Sequence, residues 1–368
     1  MKNMRWYIKP AKDKEENILR QILQKRGISK KDEKKFLNPS LYNLKDPYLF
    51  SQMKESVELI LQVIKNDGKI IIYGDYDVDG ITSTSLLYLF FKDYLKYEVD
   101  YYIPDRMEEG YGLNLTAVET IISQDYDLMI TVDCGITAHD ELELAKKYDL
   151  KTIVTDHHQP GDNLPEADYI LNPKVQKCSY PFKKLAGVGV AFKLCQGIVK
   201  YKENKIIIDK LKNKLDIVAL GTIADIVSLT SENRIMVKKG LELINNDNRT
   251  AFEKLKNKLG LKQKEINTGH IAFIIAPPFN ASGRMETADM GVKLLTSDSL
   301  DEVISLVDKV IELNKKRQNE ERRTLKEAEE MIAKKLAAEE KYSFVLSSDN
   351  WHPGVIGIVA SKIVEKYY

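Results

Sequence analysis

Short unbroken apolar runs alternate with longer stretches along the middle of the chain. "KIIIYGD", "EVDYYIPD", "DLMITVDCG" and "LKTIVTDHH" are too short for helices and rich in β-branched or aromatic residues, which predicts strands. The first is a continuous Ile-rich run, the pattern of a strand buried on both faces of a parallel sheet. "ITSTSLLYLFFKDYL", "LTAVETIISQ" and "AHDELELAKKYD" separate these runs and read as helices. Strand and helix in alternation predict an α/β fold with a doubly wound, mostly parallel sheet.

Residues 1–50 read as a polar helical lead-in, with "ILRQILQKRGI" an amphipathic helix that Gly27 ends. "MKESVELILQVIKNDG" is a further helix with Gly68 just past its end. The catalytic unit is expected over 51–300, its later part helical through "GVGVAFKLCQGIVKY" and "LDIVALGTIADIVSL". A stretch rich in Glu, Lys and Leu with few helix breakers predicts a long connecting helix over 301–341. "KYSFVLSSDNWHPGVIGIVASKIVEKYY", at 342–368, reads as one strand and one helix opening a second α/β unit, which looks truncated.

Composition narrows the class. With 43% hydrophobic and 30% charged residues the chain can build a packed core. The net charge of +1 excludes a global basic field, so any nucleic-acid contact must be local. Cys134, Cys178 and Cys195 have no zinc-like spacing, and their odd number suits a reducing compartment. The first residues lack a signal-peptide core and no run is long enough to span a membrane, so a cytoplasmic protein is expected.

"YGDYDVDG" places Asp75, Asp77 and Asp79 at every second position after the first strand. Three such carboxylates repel one another unless a cation compensates or one stays protonated. The pattern resembles a calcium loop, but Leu86 stands where that loop needs a Glu, at the twelfth position. Two further strands end in ligand types, one at Asp133 and one at Asp156-His157-His158. Ligands of open α/β sheets bind beyond the carboxyl ends of the strands, so the three clusters would meet on one sheet edge. An oxygen-rich set with imidazole suits Mn²⁺ or Mg²⁺, with Zn²⁺ or Co²⁺ as the other options. Two such ions about 3.5–4 Å apart would serve phosphoester hydrolysis.

"YGDYDVDG", "VDCG" and "TDHHQP" resemble the DHH phosphoesterases in order and strand-end placement, and "DRMEEGYGLN" resembles a further motif of theirs. "FLNPSLYNLKDPYLF", "DIVALGTIADIVSL", "PPFNASGRM" and "WHPGVIGIVASKIVEKY" narrow the resemblance to the single-strand-specific exonucleases of that family, over nearly the whole chain. The resemblance implies two domains clasping a groove, Mn²⁺ or Mg²⁺ as cofactor, and 5′-to-3′ removal of mononucleotides from single-stranded DNA in repair and recombination. Single-stranded DNA would be the partner, with a single-strand-binding protein or a helicase as companions. It implies that Asp77 and Asp79 each hold one metal, that Asp133 bridges both, and that His157 and Asp225 complete the second. His158 would face the scissile phosphate. Tyr73 stands where small-substrate members carry a His; Asp75 is the substitute ligand, aligned with it if the segment stays extended.

Other residues carry two readings each. Asp225 is a metal ligand, or else a helix N-cap or half of a buried ion pair. Asp156 orients a histidine rather than binding metal. Arg106 and Arg284 are phosphate clamps, or structural ion pairs, with Glu108 and Glu109 close to Arg106. Asn280 and Ser282 bond the same phosphate or cap a turn, in a loop stiffened by Pro277 and Pro278. His352 lines the groove opposite the metals or packs beside Trp351. "AGVGVAFKL" is a phosphate cradle at a helix start or, preferred, a close strand–helix approach. The basic stretches at 254–265 and 314–323 are solvated helical faces, the first with a DNA-tracking alternative. The rival functions are cleavage of short oligonucleotides or cyclic dinucleotides, and a catalytically impaired DNA-binding fragment.

Overall fold

All five residues of Ile70–Gly74 (β1) are buried, and neighbours cover both faces of the strand. In the computed structural model, which describes residues 18–203, 208–246, 249–338 and 343–367, β1 lies inside a five-stranded sheet. The other strands are Asp100–Tyr102 (β2), Leu128–Val132 (β3), Lys151–Thr155 (β4) and Tyr169–Leu171 (β5). Every pairing is parallel, in the order β2-β1-β3-β4-β5. The pleat sends Ile70 and Ile72 into a large core on one face and Ile71 and Tyr73 into a smaller one on the other. A strand buried on both sides has no polar face to show, which is why β1 and β3 read as unbroken apolar runs. β5 is absent from the pattern-based expectation: three residues carry no usable period, and pairing of Ile153 with Tyr169 and Thr155 with Leu171 defines it.

The helix after β1 spans Val78–Phe90, three residues earlier than the apolar run suggests. Asp77 caps it, its Oδ1 accepting the N–H groups of Asp79 (2.8 Å) and Gly80 (3.1 Å). Gly80 is required there, since a Cβ would lie 2.3 Å from the Asp75 carbonyl oxygen. Asp75 directly continues β1, two residues beyond Tyr73, and the chain bends only at Tyr76 and Asp77 before the helix begins.

Of the lead-in, Ile18–Lys25 and Lys30–Leu37 are helical, and Gly27 takes φ +78° between them. Residues before 18 lie outside the described residues. The helix Leu300–Ala338 runs about 58 Å at 1.5 Å per residue. Its first half buries Val303, Val307 and Val310 in the main core; its second packs Ala328 against Trp351 and Val359 of the closing helix Pro353–Tyr367. The strand expected at the start of 342–368 is not formed: residues 343–348 have no strand partner among the described residues, and a strand exists only by pairing.

"PPFNASGRM" is a helix, Ala276–Met285, not a loop. A π-turn over Ile271–Ile275 leads into it. Pro277 and Pro278 offer no N–H, and the wider turn accommodates the interrupted ladder. The basic stretches are largely engaged: Lys256 is buried and donates to the Ile244 carbonyl, Lys258 pairs with Asp308, and Arg317 pairs with Glu321. No helix among the described residues is long and apolar enough to cross a membrane.

Candidate metal centre

The chain leaves β1 toward β2 on one side and returns to β3 on the other, so the ends of β1 and β3 flank the switch point of the sheet. Asp75 follows β1, Asp133 follows β3 and Asp156 follows β4, each as the next residue. Asp133 takes φ +61°, a conformation Asp tolerates, and its N–H donates to the Thr155 carbonyl (2.9 Å). The turn aims its carboxylate back over the sheet edge.

Two groups of ligand atoms form there, each within 4.8 Å: Asp75, Asp77 and Asp133, and Asp79, His157 and Asp225. Asp133 also groups with His157 and His158. Nε2 of His157 lies 3.2 Å from Asp133 Oδ1, 3.7 Å from Asp225 Oδ2 and 3.8 Å from Asp79 Oδ2. Asp225 is the C-cap of the helix Leu215–Ala224, not an N-cap, and no cation pairs with it among the described residues.

Asp75 Oδ1, Asp133 Oδ1, His157 Nε2 and Asp225 Oδ2 are all buried without a hydrogen-bond partner. Orphaned polar atoms are costly singly, and four of them in two adjacent ligand groups call for partners that the chain itself does not supply. Divalent cations fit: one among Asp75, Asp77 and Asp133 and one among Asp79, His157 and Asp225 would satisfy all four atoms, and the oxygen-rich donor set with one imidazole suits Mn²⁺ or Mg²⁺.

The glycine-rich helix start has a role that its sequence does not disclose. The carboxylate of Asp79 accepts the N–H groups of Gly187 (2.6 Å) and Val188 (2.8 Å), at the start of Gly187–Glu203. The helix terminus thus holds a carboxylate of the chain itself, with the dipole favouring its charge. Gly187 also clears space for the centre, because a Cβ would lie 2.3 Å from Asp133 Oδ1.

The electrostatics express crowding. Burial and then the Asp77 charge push Asp75 up to about 7, and push Asp79 up to about 7 as well. Burial and the Asp79 charge raise Asp225 to about 7. Burial, Asp79 and Asp77 carry Asp133 well above the ordinary carboxylate range. Burial lowers His157 against the pull of Asp225. These groups ionise together only with a cation among them.

Asp156 stands apart as an orienting group. Burial opposes its ionisation, yet the hydrogen bond with His158 and backbone N–H groups hold it below the usual range. Its Oδ1 meets His158 Nδ1 at 2.8 Å, and its Oδ2 accepts the Ile136 N–H. The same bond raises His158. The other His158 nitrogen, Nε2, lies 3.3 Å from the Tyr111 hydroxyl. Tyr111 sits between Gly110 (φ +85°) and Gly112 (φ +75°), and sequence reasoning passed over it; the flanking glycines were the available signal.

Arg106 makes no ion pair among the described residues and lies over the Tyr76 ring at 4.8 Å, while Glu109 is engaged by Tyr102 and Asn114. Burial, and then the positive charges of Arg106 and Arg317, lower Arg284. Arg284 Nη1 donates to the Gly354 carbonyl (3.0 Å), joining its helix to the start of Pro353–Tyr367. Asn280 is half-buried on the same helix. The Ser282 hydroxyl is fully buried and donates to the Phe279 carbonyl, which takes it out of reach of a phosphate. His352 Nδ1 accepts the Gly354 N–H, and Trp351 donates to Glu327 on the long helix.

Residues 69–222 match the model of the DHH family, N-terminal domain. A crystal structure of an exonuclease RecJ bound to manganese superimposes with a TM-score of 0.77 at 32% identity, covering 89% of this chain and 80% of that one. The chain belongs to the DHH family, as a RecJ-like member. The single-stranded-DNA-specific exonuclease RecJ of Bacillus subtilis is 40% identical over 99% of this chain and 46% of its own length. That of Escherichia coli is 33% identical, over 95% and 62%. This RecJ-like chain therefore spans about half to three-fifths of the length of these relatives.

Proposed function

We propose that this chain is the catalytic core of a divalent-cation-dependent exonuclease that removes mononucleotides from single-stranded DNA in the 5′-to-3′ direction. The observation that carries the reading is the pair of adjacent ligand groups beyond the strand ends, which together hold four orphaned, buried ligand atoms. The RecJ relatives, named as exonucleases specific for single-stranded DNA, support the substrate.

Asp75, Asp77 and Asp133 would hold one Mn²⁺ or Mg²⁺, and Asp79, His157 and Asp225 the other, with Asp133 shared. Such ions supply a nucleophilic water at neutral pH and neutralise charge on the phosphoryl oxygens. The protein does the placing. Asp156 fixes the His158 ring from Nδ1, which leaves Nε2, beside the Tyr111 hydroxyl, as the nitrogen that would meet a phosphate. Arg284, with Arg106 and Arg317 in electrostatic range, forms a positive wall that attracts the phosphodiester. The bond to Gly354 leaves most Arg284 donors free for phosphate oxygens. Arg106, Asn280 and His352 are proposed as further contacts along the same strand. The free, buried Cys134, Cys178 and Cys195 support a reducing compartment such as the cytoplasm.

The test is digestion of a single strand labelled at one end, with Mn²⁺ re-supplied to stripped protein. The reading expects labelled mononucleotide first from a 5′-labelled strand, and no digestion of blunt duplex. Internal cuts, or label released first from the 3′ end, would contradict it.

A further inference from the structure

Ile226 breaks two rules at once beside the centre. It follows Asp225 directly, takes φ +59°, and is 87% exposed. The Asp225 N–H bonds the Gly221 carbonyl (2.9 Å) and the Ile226 N–H bonds the Ile223 carbonyl (3.2 Å). Ile226 thus closes the helix Leu215–Ala224 at the position where glycine is the usual residue. A β-branched residue is strained in the left-handed region, and this one gains almost no burial in return.

Its place explains what it is for. Of the side chains meeting at His157 Nε2, Asp79 is 1% exposed and Asp133 2%, whereas Asp225 is 21% exposed. The centre opens to solvent on the Asp225 side, and Ile226 stands on that rim. We infer that Ile226 is a substrate-positioning residue whose apolar side chain packs on the base of the terminal nucleotide of a single strand. The inference rests on the nuclease reading above. A strand without a partner exposes the apolar face of each base, and every base has one, so such a contact grips without reading sequence. A paired base keeps that face stacked in the duplex, so the contact favours single strands.

The experiment measures kcat and KM of Ile226→Gly and Ile226→Val on an oligonucleotide, and on the same strand with abasic sites at its first two 5′ positions. Ile226→Gly relieves the backbone strain, so its melting temperature and Mn²⁺ affinity should not fall. Its KM on the intact strand should rise about tenfold, the equivalent of half-burying one isoleucine, with kcat kept. On the abasic strand the increase should be under about twofold, and Ile226→Val should restore the intact-strand KM. An unchanged KM, or an equal rise on both strands, would overturn the inference alone. Failure of the unsubstituted chain to cleave any single strand while binding Mn²⁺ would overturn the nuclease reading, and this inference with it.

Discussion

His157 Nε2 lies 3.2 Å from Asp133 Oδ1, both atoms are buried, and neither has a hydrogen-bond partner. An imidazole and a carboxylate at this separation ordinarily align an N–H on an oxygen. Here β3 and β4 aim the two groups at a common point instead. The pair is placed for a shared third atom, and each prediction below follows from that placement or from what supports it.

Without metal, the protein is expected to lose stability as pH rises. Asp75, Asp79 and Asp225 are raised to about 7 in the folded state, from an ordinary value of 3.8. Between those values the folded chain binds more protons than the unfolded one, so stability falls with pH. The contribution is complete below about pH 4 and gone above about pH 7. Denaturant midpoints should therefore be higher at pH 5 than at pH 8 for stripped protein, and saturating Mn²⁺ should remove or reverse the difference. A stripped protein that gains stability over this range would contradict the crowding.

Gly187→Ala tests how tightly the helix start adjoins the centre. Its methyl group would lie 2.3 Å from Asp133 Oδ1 and must displace that carboxylate. Calorimetric titration should show Mn²⁺ affinity weakened about 10–100-fold, although residue 187 carries no ligand atom.

Tyr111→Phe removes only the hydroxyl facing His158. With Asp156 still holding the other nitrogen, the ring should lose part of its alignment. The expectation is a kcat about tenfold lower, with Mn²⁺ affinity retained. Loss of metal in this variant would show that Tyr111 supports the ligands instead.

Away from the centre, Lys193 and Glu232 form a fully buried ion pair at 2.5 Å. Glu232 also accepts from the Tyr180 hydroxyl and the Lys45 N–H, which ties the lead-in to the core. Glu232→Ala leaves the buried Lys193 ammonium without a counter-charge, its bond to the Lys45 carbonyl remaining, and should destabilise the fold by about 3–5 kcal/mol. Metal affinity in the surviving folded fraction should be unchanged.

The strands that carry the ligands were legible because burial on both faces forces unbroken apolar runs, and the acidic residues stand immediately after them. Asp75, Asp133 and Asp156 could be placed on one edge from that alone. Asp225 needed the family resemblance, since an acid closing an apolar helix looks the same whether it caps or ligates. The Asp79 bond to the start of Gly187–Glu203 spans over a hundred residues, and no local pattern encodes it. The same holds for β5, which only its pairing defines, and for the failed strand after the long helix, which no described strand pairs. Prolines in "PPFNASGRM" suggested a stiff loop, but the preceding π-turn lets a helix absorb them.

The most direct measurement is an electron paramagnetic resonance titration of stripped protein with Mn²⁺, alongside Asp133→Asn. A shared carboxylate between two adjacent sites predicts two ions per chain, with a spin-coupled signal at saturation, and loss of that coupling in Asp133→Asn. One isolated Mn²⁺ signal at saturation, unaffected by Asp133→Asn, would contradict the centre described here.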